Sequence, residues 1–522
     1  MKTRFFFSTK RLNAIARNTW LWVLACCLSL APVMRAAELP KAEADAAKKR
    51  LLPQPKQIVL RDGPEVVLDG ALTLHVEIAE NDVNAKNLVA AIFERQFGTN
   101  PTIVVTTKNN VPTAAEAYRL HASGKTLTVS AADMRGVRHA LSTLRQLAEP
   151  NRDAVKLVAY RIPETEIDDA PAMTFRGLHL CWFPETRYAR IEQAVRLAAY
   201  YKFNHVVIEF WGTYPSRKHP KLCWQEYAAK NDELKRLVAI GKELGVTLIP
   251  QINLFGHASL SRGGAYKHIP LDRYPEYQPI YEPDGWTWCL SNPATRTVLT
   301  DIVLEMMDDF DQPPYFHIGL DEAHPPECSR CLRSDYKTLF LEHLQYFHKL
   351  LTDRNCRMMV WHDMLLSGSD DRWKGYVANA NKYTAGMVEK LPRDIIICDW
   401  QYGAPKEAGE TWPSMRYFKD LGFTVLACPW TNTPGMRSQG LTVADAHLDG
   451  MLCTSWHHLR GDEMYKIFSM GGQVTWCAPP DYPGVWTMVF GTHLRQIGWD
   501  MPVNDYLDAG RVDLQVPRET IQ

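Results

Sequence analysis

The sequence predicts an α/β protein: a TIM (β/α)8 barrel preceded by a small α+β domain. Three observations carry this. Eight apolar, strand-like runs follow one another after Pro171, helical patterns separate most of them, and no Gly-rich phosphate turn follows the first run. A doubly wound open sheet is the alternative, and it normally shows such a turn.

The chain has 522 residues, room for two to three domains. Residues 1–37 hold six Lys or Arg and no acid, with an apolar run from Trp20 to Met34 and small residues at Ala36 and Ala37. This reads as a signal peptide, because the run falls short of the ~20 residues that a spanning helix needs. An uncleaved anchor, or lipid attachment at Cys26 or Cys27, is the weaker reading. The expected destination is the periplasm or the medium. Later stretches are too short or too polar to span a membrane.

Residues 38–52 are rich in Ala and Lys and read as a linker or a loose helix. Residues 53–165 form the expected α+β domain. "EVVLDGALTLHVEI" alternates as strands do, and "NDVNAKNLVAAIFERQFG" has helical spacing. "TIVVTT" is a strand, and "AYRLHASGKTLTVSA" is a hairpin around Ser123-Gly124. "DMRGVRHALSTLRQLAE" is a closing helix.

The barrel is expected over residues 170–480. Its strands are "TFRGLHLCW", "HVVIEFW", "VTLIPQINLFG", "YFHIGLDEA", "RMMVWHDML", "DIIICDWQY", "FTVLACPW" and "GMLCTSW". Residues 481–522 are an aromatic extension expected to pack on the barrel or to extend one wall of its cleft.

Formal charge balances at 59 basic against 59 acidic residues, and at 53 against 59 without residues 1–37, about −6. Nothing here suits a polyanion, so no nucleic-acid partner is expected. Sixteen tryptophans are the compositional outlier. They serve either a large aromatic core or a cleft that stacks on sugar rings. Ten cysteines follow residue 37, and export permits disulfides without assigning them. Cys328 and Cys331 form a C-x-x-C pair without a second such pair, and read as a loop staple or as two buried thiols. His324 and the His457-His458 pair lack the spacing of a metal site, so no metal or cofactor is expected.

Polar and aromatic groups recur at the C-terminal ends of the strands, where a TIM barrel builds its active site. They are His179 and Trp182; Glu209 and Trp211; Asn253 and His257; Asp321 and Glu322; Trp361 and Asp363; Asp399, Trp400 and Tyr402; Trp430 and Asn432; Trp456 and His457. Asp321 and Glu322 are the sharpest signal. Adjacent carboxylates repel when both are ionised, so one tends to keep its proton. A protonated acid beside a carboxylate is what glycosidic cleavage needs. A surface acidic pair capping the next helix is the bland reading, and the apolar strand before the pair argues against it.

"H-I-G-L-D-E" resembles the H-x-G-G-D-E signature of glycoside hydrolase family 20, the β-N-acetylhexosaminidases. The resemblance extends through "GKTLTVSAADMRGVRHALSTLRQL", "FRGLHL", "GVTLIPQINLFGHAS" and "WCLSNPAT". It implies an exo-acting, retaining hydrolase of terminal β-linked N-acetylhexosamine. Glu322 would be the general acid and base, and Asp321 would orient the substrate's acetamido group, which attacks C1 to give an oxazolinium intermediate. It further implies sugar contacts from Arg176 and His257, and an aromatic pocket from Trp361, Trp400 and Trp456. Glu209, Asp399, Tyr402 and Trp430 complete the expected substrate-binding set. The chain departs from the pattern at Leu320, where the signature has its second Gly, at Glu209, where the best-known members carry a His, and at "CPWTNT", which replaces a Y-x-D. Tyr402 would then hold the acetamido oxygen. A related exo-glycosidase with shifted specificity (free glucosamine or sulfated sugars) and a non-catalytic carbohydrate-binding protein are the alternatives. Linkage, GlcNAc or GalNAc preference and oligomeric state are not written in the residues.

Overall fold

The computed structural model describes residues 37–498, apart from positions 81, 185, 224–225, 259–270, 272–273, 404–411, 457–458, 460–463 and 478–485, with the side chains of 486–488 also excepted. The segment read as a signal peptide (apart from Ala37), Glu185, His457, His458 and most of 481–522 therefore lie outside the described residues.

The N-terminal domain is a mixed sheet. Its strands are β1 (Ala37–Glu38), β2 (Gln57–Leu68), β3 (Thr73–Ile78), β4 (Thr102–Thr107), β5 (Tyr118–Ser123), β6 (Thr126–Ala131), β7 (Glu149–Asp153) and β8 (Lys156–Asp169). Their order is β1-β2-β8-β5-β6-β3-β4, with β7 paired to β8. β3 runs parallel to β4 and β6, and β5 and β6 form the hairpin read around Ser123-Gly124. Apolar residues at every second position of β3 (Leu74, Val76, Ile78) meet Val89, Phe93, Val137, Leu141 and Leu144 from the helices Ala85–Phe97 and Met134–Leu147. Asp133 caps the second helix by accepting the Gly136 N–H.

Residues 38–52, read as a linker or a loose helix, are helical in part rather than a linker. Lys41–Lys48 is a helix, and Leu51 and Leu52 are buried, Leu51 in the core of this domain. Its Ala-rich composition reflects a short docking helix, whose burial single-residue character does not show.

The eight later strands close a parallel barrel: β9 (Phe175–Trp182), β10 (His205–Phe210), β11 (Thr247–Gln251), β12 (Tyr315–His317), β13 (Arg357–Trp361), β14 (Ile396–Trp400), β15 (Thr424–Cys428) and β16 (Gly450–Cys453). Each falls within the run read as a strand. β16 returns to β9 in register Gly450↔Phe175, which closes the ring. Phe175, Val207, Ile249, Met359, Ile396, Leu426 and Leu452 fill the interior, and a larger apolar layer packs the strands against the surrounding helices. No helix among the described residues is long and apolar enough to cross a membrane.

Buried charges lock the two domains together at the N-terminal end of the barrel strands. Lys202 Nζ donates to Asp169 Oδ2 at 2.9 Å, and Trp476 Nε1 donates to Asp169 Oδ1 at 2.9 Å. Arg176 pairs with Glu116 and donates to the Met173 and Lys202 carbonyls at 2.8 and 2.9 Å. Glu116 also takes His139 and Asn204, and these donors hold its carboxyl far below the usual range against the cost of burial.

Candidate active site

The site begins where β12 stops. After His317 the chain turns sharply through Gly319 at φ 70°, Leu320 at φ 96° and Glu322 at φ 49°. The Gly319 N–H donates to His317 Nδ1 at 3.0 Å, and a Cβ at Gly319 would fall on Asn253 Oδ1. That explains the His and the first Gly of "H-I-G-L-D-E": one fixes the turn, and the other leaves room for β11's continuation. Leu320 is fully buried yet occupies a left-handed conformation that favours Gly. His257 (φ 52°) and Trp456 (φ 29°) are further residues at the mouth with positive φ. Such strain gathers where surrounding structure holds functional groups in place.

The turn delivers Asp321 and Glu322 to the floor of a cavity of ≈ 160 Å³ lined by Phe183, Trp211, His257, Asp321, Glu322, Trp400, Tyr402, Trp430 and Trp456. Seven of the expected site residues therefore meet: Asp321, Glu322, His257, Trp400, Tyr402, Trp430 and Trp456. The Asp321 side chain is 5 % exposed and that of Glu322 19 %. His257 Nε2 stands 3.2 Å from Asp321 Oδ2 and 3.4 Å from Glu322 Oε2, a single ring nitrogen facing both carboxylates. Asp321 Oδ1 is buried and has no partner among the described residues. The aromatic wall is continuous: Trp400 stacks on Tyr402 with centroids 5.1 Å apart, Tyr402 meets Trp430 edge-on at 5.6 Å, and Trp456 Nε1 donates to the Tyr402 hydroxyl.

Four expected contacts are corrected. Arg176 lies near the start of β9, at the opposite end of the strand from Phe183 and the cavity. Its guanidinium is consumed by Glu116 and backbone carbonyls at the domain interface. Asp399 follows the alternation of β14: Cys398 and Trp400 face the barrel interior, so Asp399 faces outward, 3.3 Å from His362 Nε2 and from Gln401 Nε2. Glu209 and Trp361 face inward but one layer too deep. Glu209 accepts from His179 Nε2 and Asn253 Nδ2, each at 2.8 Å. Trp361 is fully buried beneath Trp456, with centroids 5.3 Å apart, and it supports the pocket without lining it.

Asp363 is the residue whose weight the sequence did not show. It is fully buried just past β13 and accepts the Glu322 N–H at 2.9 Å, Asn379 Nδ2 at 2.9 Å and Trp400 Nε1 at 3.2 Å. Burial first, and then the charge on Asp321, push its carboxyl up to about 6. Its place at a strand end was the available signal. Trp286 was missed altogether: it donates Nε1 to the Glu322 carbonyl at 2.7 Å, lies 4.4 Å from the His257 ring and stacks on His324 at 4.9 Å. It sits in a loop without periodicity. Phe183 and Trp211 each directly follow a strand.

Two groups of ligand-type atoms lie close to the cavity: His257 with Asp321 and Glu322, and His179 with Cys181 and Glu209. In the second, Glu209 takes His179 Nε2 at 2.8 Å, and His179 Nδ1 is buried without a partner among the described residues. Every described cysteine is a free thiol, so Cys328 and Cys331 are not joined. Cys289 stands beside them, at 3.6 and 3.7 Å between sulfurs.

The chain matches the description "Glycosyl hydrolase family 20, domain 2" over residues 48–170, and "Glycosyl hydrolase family 20, catalytic domain" over residues 209–414. A beta-hexosaminidase of Vibrio furnissii is 25% identical over 412 residues, 71% of this chain, and the chain spans only 62% of that relative's length. A beta-N-acetylhexosaminidase of Cellulomonas fimi is 23% identical over 480 residues, covering 83% of this chain and 90% of its own. In fold, the exo beta-N-acetylglucosaminidase of Vibrio harveyi superposes with a TM-score of 0.62 at 16% identity, covering 89% of this chain and 78% of its own. The beta-N-acetylhexosaminidase of Streptomyces coelicolor superposes at 0.60 and 14% identity, covering 88% and 99%. With both domains matched in their order along the chain, and the D-E pair at the end of the fourth barrel strand, this protein belongs to glycosyl hydrolase family 20, as a divergent member.

Proposed function

We propose that the chain is an exo-acting, retaining β-N-acetylhexosaminidase that removes terminal β-linked N-acetylhexosamine from glycans by substrate-assisted catalysis. The observation that carries this is the state of Asp321. Its Oδ2 faces His257, while its Oδ1 is buried and without a partner among the described residues, in an aromatic cavity. A buried carboxylate oxygen is costly unless something donates to it. The N–H of a 2-acetamido group supplies that donor, and holding it aims the acetamido oxygen at C1. An intramolecular nucleophile so aligned reaches effective molarities of ~10⁵ M or more, which removes the need for a protein nucleophile.

The roles then follow. Glu322, the more open of the two carboxylates, protonates the leaving oxygen and later takes a proton from water. Asp321 stabilises the positive charge that develops on the oxazolinium ring. Tyr402, whose hydroxyl accepts from Trp456 Nε1, holds the acetamido oxygen in this reading. Trp400, Trp430 and Trp456 enclose one sugar ring and exclude water. The small volume of the cavity, ≈ 160 Å³, supports exo action. The basic and then apolar segment 1–37 supports export, with a mature chain beginning near Ala37, which N-terminal sequencing from the native host checks.

The deciding experiment compares an aryl β-N-acetylglucosaminide with the matching β-glucoside and β-glucosaminide, and adds a thiazoline analogue of the oxazolinium ring. The acetamido substrate is expected to exceed the others by orders of magnitude in kcat/KM, with tight thiazoline inhibition. Comparable cleavage of the free-amine or hydroxyl substrate with weak inhibition establishes the shifted-specificity reading. No turnover of any substrate establishes the binding-protein reading.

A further inference from the structure

Beside the cavity, but not part of it, three sulfurs and one carboxylate converge from two segments. Cys289 and Glu282 belong to the loop before the helix Pro293–Asp309; Cys328 caps, and Cys331 lies in, the short helix Ser329–Leu332 in the segment that follows Asp321 and Glu322. One ligand atom from each lies within 4.8 Å of all the others. Glu282 is 1 % exposed. Its Oε2 accepts the Glu327 and Cys328 N–H groups at 2.8 and 2.7 Å, and its Oε1 is buried without a partner among the described residues.

We propose that Glu282, Cys289, Cys328 and Cys331 form a structural zinc site. The spacing supports a shared ion over a disulfide. In a tetrahedral site with Zn–S bonds of ~2.3 Å, sulfurs stand ~3.8 Å apart, whereas a disulfide draws them to ~2.05 Å. The observed separations from Cys289 are 3.6 Å to Cys328 and 3.7 Å to Cys331. The donor set is soft, which favours zinc over magnesium or calcium. Four protein ligands leave no open position, as structural rather than catalytic sites require.

The surroundings suit anionic sulfur. The Cys331 N–H donates to Cys328 Sγ at 3.3 Å across the C-x-x-C turn. The Ser291 hydroxyl lies 3.4 Å from the Cys289 sulfur and 3.2 Å from that of Cys331, and Arg330 Nη2 stands 3.9 Å from Cys289. Such contacts orient ligands and spread their charge. The Glu282 oxygen left over after two backbone N–H groups is the fourth ligand, buried without another partner among the described residues apart from the cluster itself.

The ion has a structural task at this place. The loop bearing Cys289 also carries Trp286, which donates to the Glu322 carbonyl, and Asp284, which lies 2.6 Å from His324 Nδ1. A zinc shared by the two segments fixes Trp286 against the turn that presents Glu322. This inference stands on the cluster alone and does not depend on the reaction assigned to the pocket.

The test measures metal in the full chain purified under reductant without chelator. About one zinc per chain is expected by elemental mass spectrometry. Replacement by cobalt(II) should give thiolate-to-cobalt charge-transfer bands and the intense ligand-field absorption of tetrahedral cobalt. Cys289→Ser and the Cys328→Ser/Cys331→Ser pair should abolish stoichiometric zinc. Glu282→Gln, which keeps three thiolates, should speed zinc transfer to a chromogenic chelator by at least ~10-fold, no less than the loss of an outer-shell partner does. Three results overturn the proposal: a reduced chain that neither carries zinc nor takes it up on dialysis against zinc chloride; full zinc retention by folded Cys289→Ser; or alkylation of the native chain showing two of these sulfurs joined. If the cysteine variants do not fold, the cobalt spectrum of the unaltered chain decides, because absence of thiolate charge transfer excludes this ligand set.

Discussion

Asp363 Oδ2 receives the backbone N–H of Glu322 at 2.9 Å. The bond ties the left-handed turn at Glu322 to a buried carboxylate on the next strand's loop. The other Asp363 oxygen takes Trp400 Nε1 at 3.2 Å, so one side chain fixes both the proposed acid and a wall of its pocket. Misplacing a catalytic group by ~1 Å can cost ~10²-fold in rate, which is the scale against which such an anchor matters.

Asp363 should also leave a signature in stability. Its carboxyl is pushed up to about 6 in the folded chain, while in the unfolded chain it titrates near the ordinary ~4. The folded state therefore holds the proton more tightly. Stability from this group is greatest below pH ~4 and is lost as pH rises to about 6, with a slope of at most ~1.4 kcal/mol per pH unit. Asp363→Asn has no proton to lose. The difference in unfolding free energy, unaltered chain minus Asp363→Asn, should fall across that window and be flat above it. Denaturant titrations at several pH values measure it, and a flat difference throughout would contradict the assignment. Turnover of Asp363→Asn should drop by ~10-fold or more, as the Glu322 turn loosens.

Arg176 gives the opposite pattern. It holds Glu116 and two backbone carbonyls at the domain interface, at the end of β9 away from the cavity. Lysine cannot reproduce a guanidinium that forks to several acceptors. Arg176→Lys should lower stability by roughly 2–4 kcal/mol, the scale of a damaged buried pair, with kcat/KM of the folded enzyme within about twofold of the original. A selective rise in KM would restore the sugar-binding role implied by the family resemblance.

The contrast between these residues shows what the sequence makes legible. The barrel strands were readable because burial on both faces of a parallel strand writes an unbroken apolar run. The carboxylate pair was readable because such a run ends in it. Faces and depth were harder. Asp399 and Trp400 are neighbours, yet alternation sends one outward and one into the pocket. Glu209 and Trp361 point inward but stop a layer short, which depends on the stagger between strands and not on spacing within one. Trp286 and Cys289 were silent because loops carry no period, and their partners lie 36 and 39 residues away.

Leu320 stands where the family signature has its second Gly, and two costs compete there. A left-handed backbone strains a leucine by ~1–3 kcal/mol, while truncating a fully buried leucine to alanine costs ~2–5 kcal/mol. Packing is therefore expected to win, and both Leu320→Gly and Leu320→Ala should destabilise the chain. Their order should invert the usual one: at φ 96° glycine carries no strain and alanine does, so Leu320→Gly should be the more stable of the two. Thermal or denaturant midpoints of the pair test this directly. Alanine above glycine would mean that the turn relaxes out of the left-handed region once the leucine is gone.

Glu322 is expected to be the acid, and its geometry says how to prove it. Its side chain is 19 % exposed, against 5 % for Asp321, so it has the access to solvent that a group trading protons with water requires. It is also the carboxylate whose backbone is held on both sides, the N–H by Asp363 and the carbonyl by Trp286. Glu322→Gln preserves size and hydrogen bonding but cannot donate a proton from an acid. On natural glycans, whose leaving groups are poor, turnover should fall by at least ~10²-fold. On aryl glycosides with acidic phenols the loss in forming the intermediate should be far smaller, because the leaving oxygen departs without help. Intermediate breakdown still needs a base, so the variant should accumulate the oxazolinium state, and added azide should speed release by attacking without deprotonation. Equal losses on both substrate classes, with no rescue by azide, would remove Glu322 from the reaction and leave it a structural carboxylate beside Asp321.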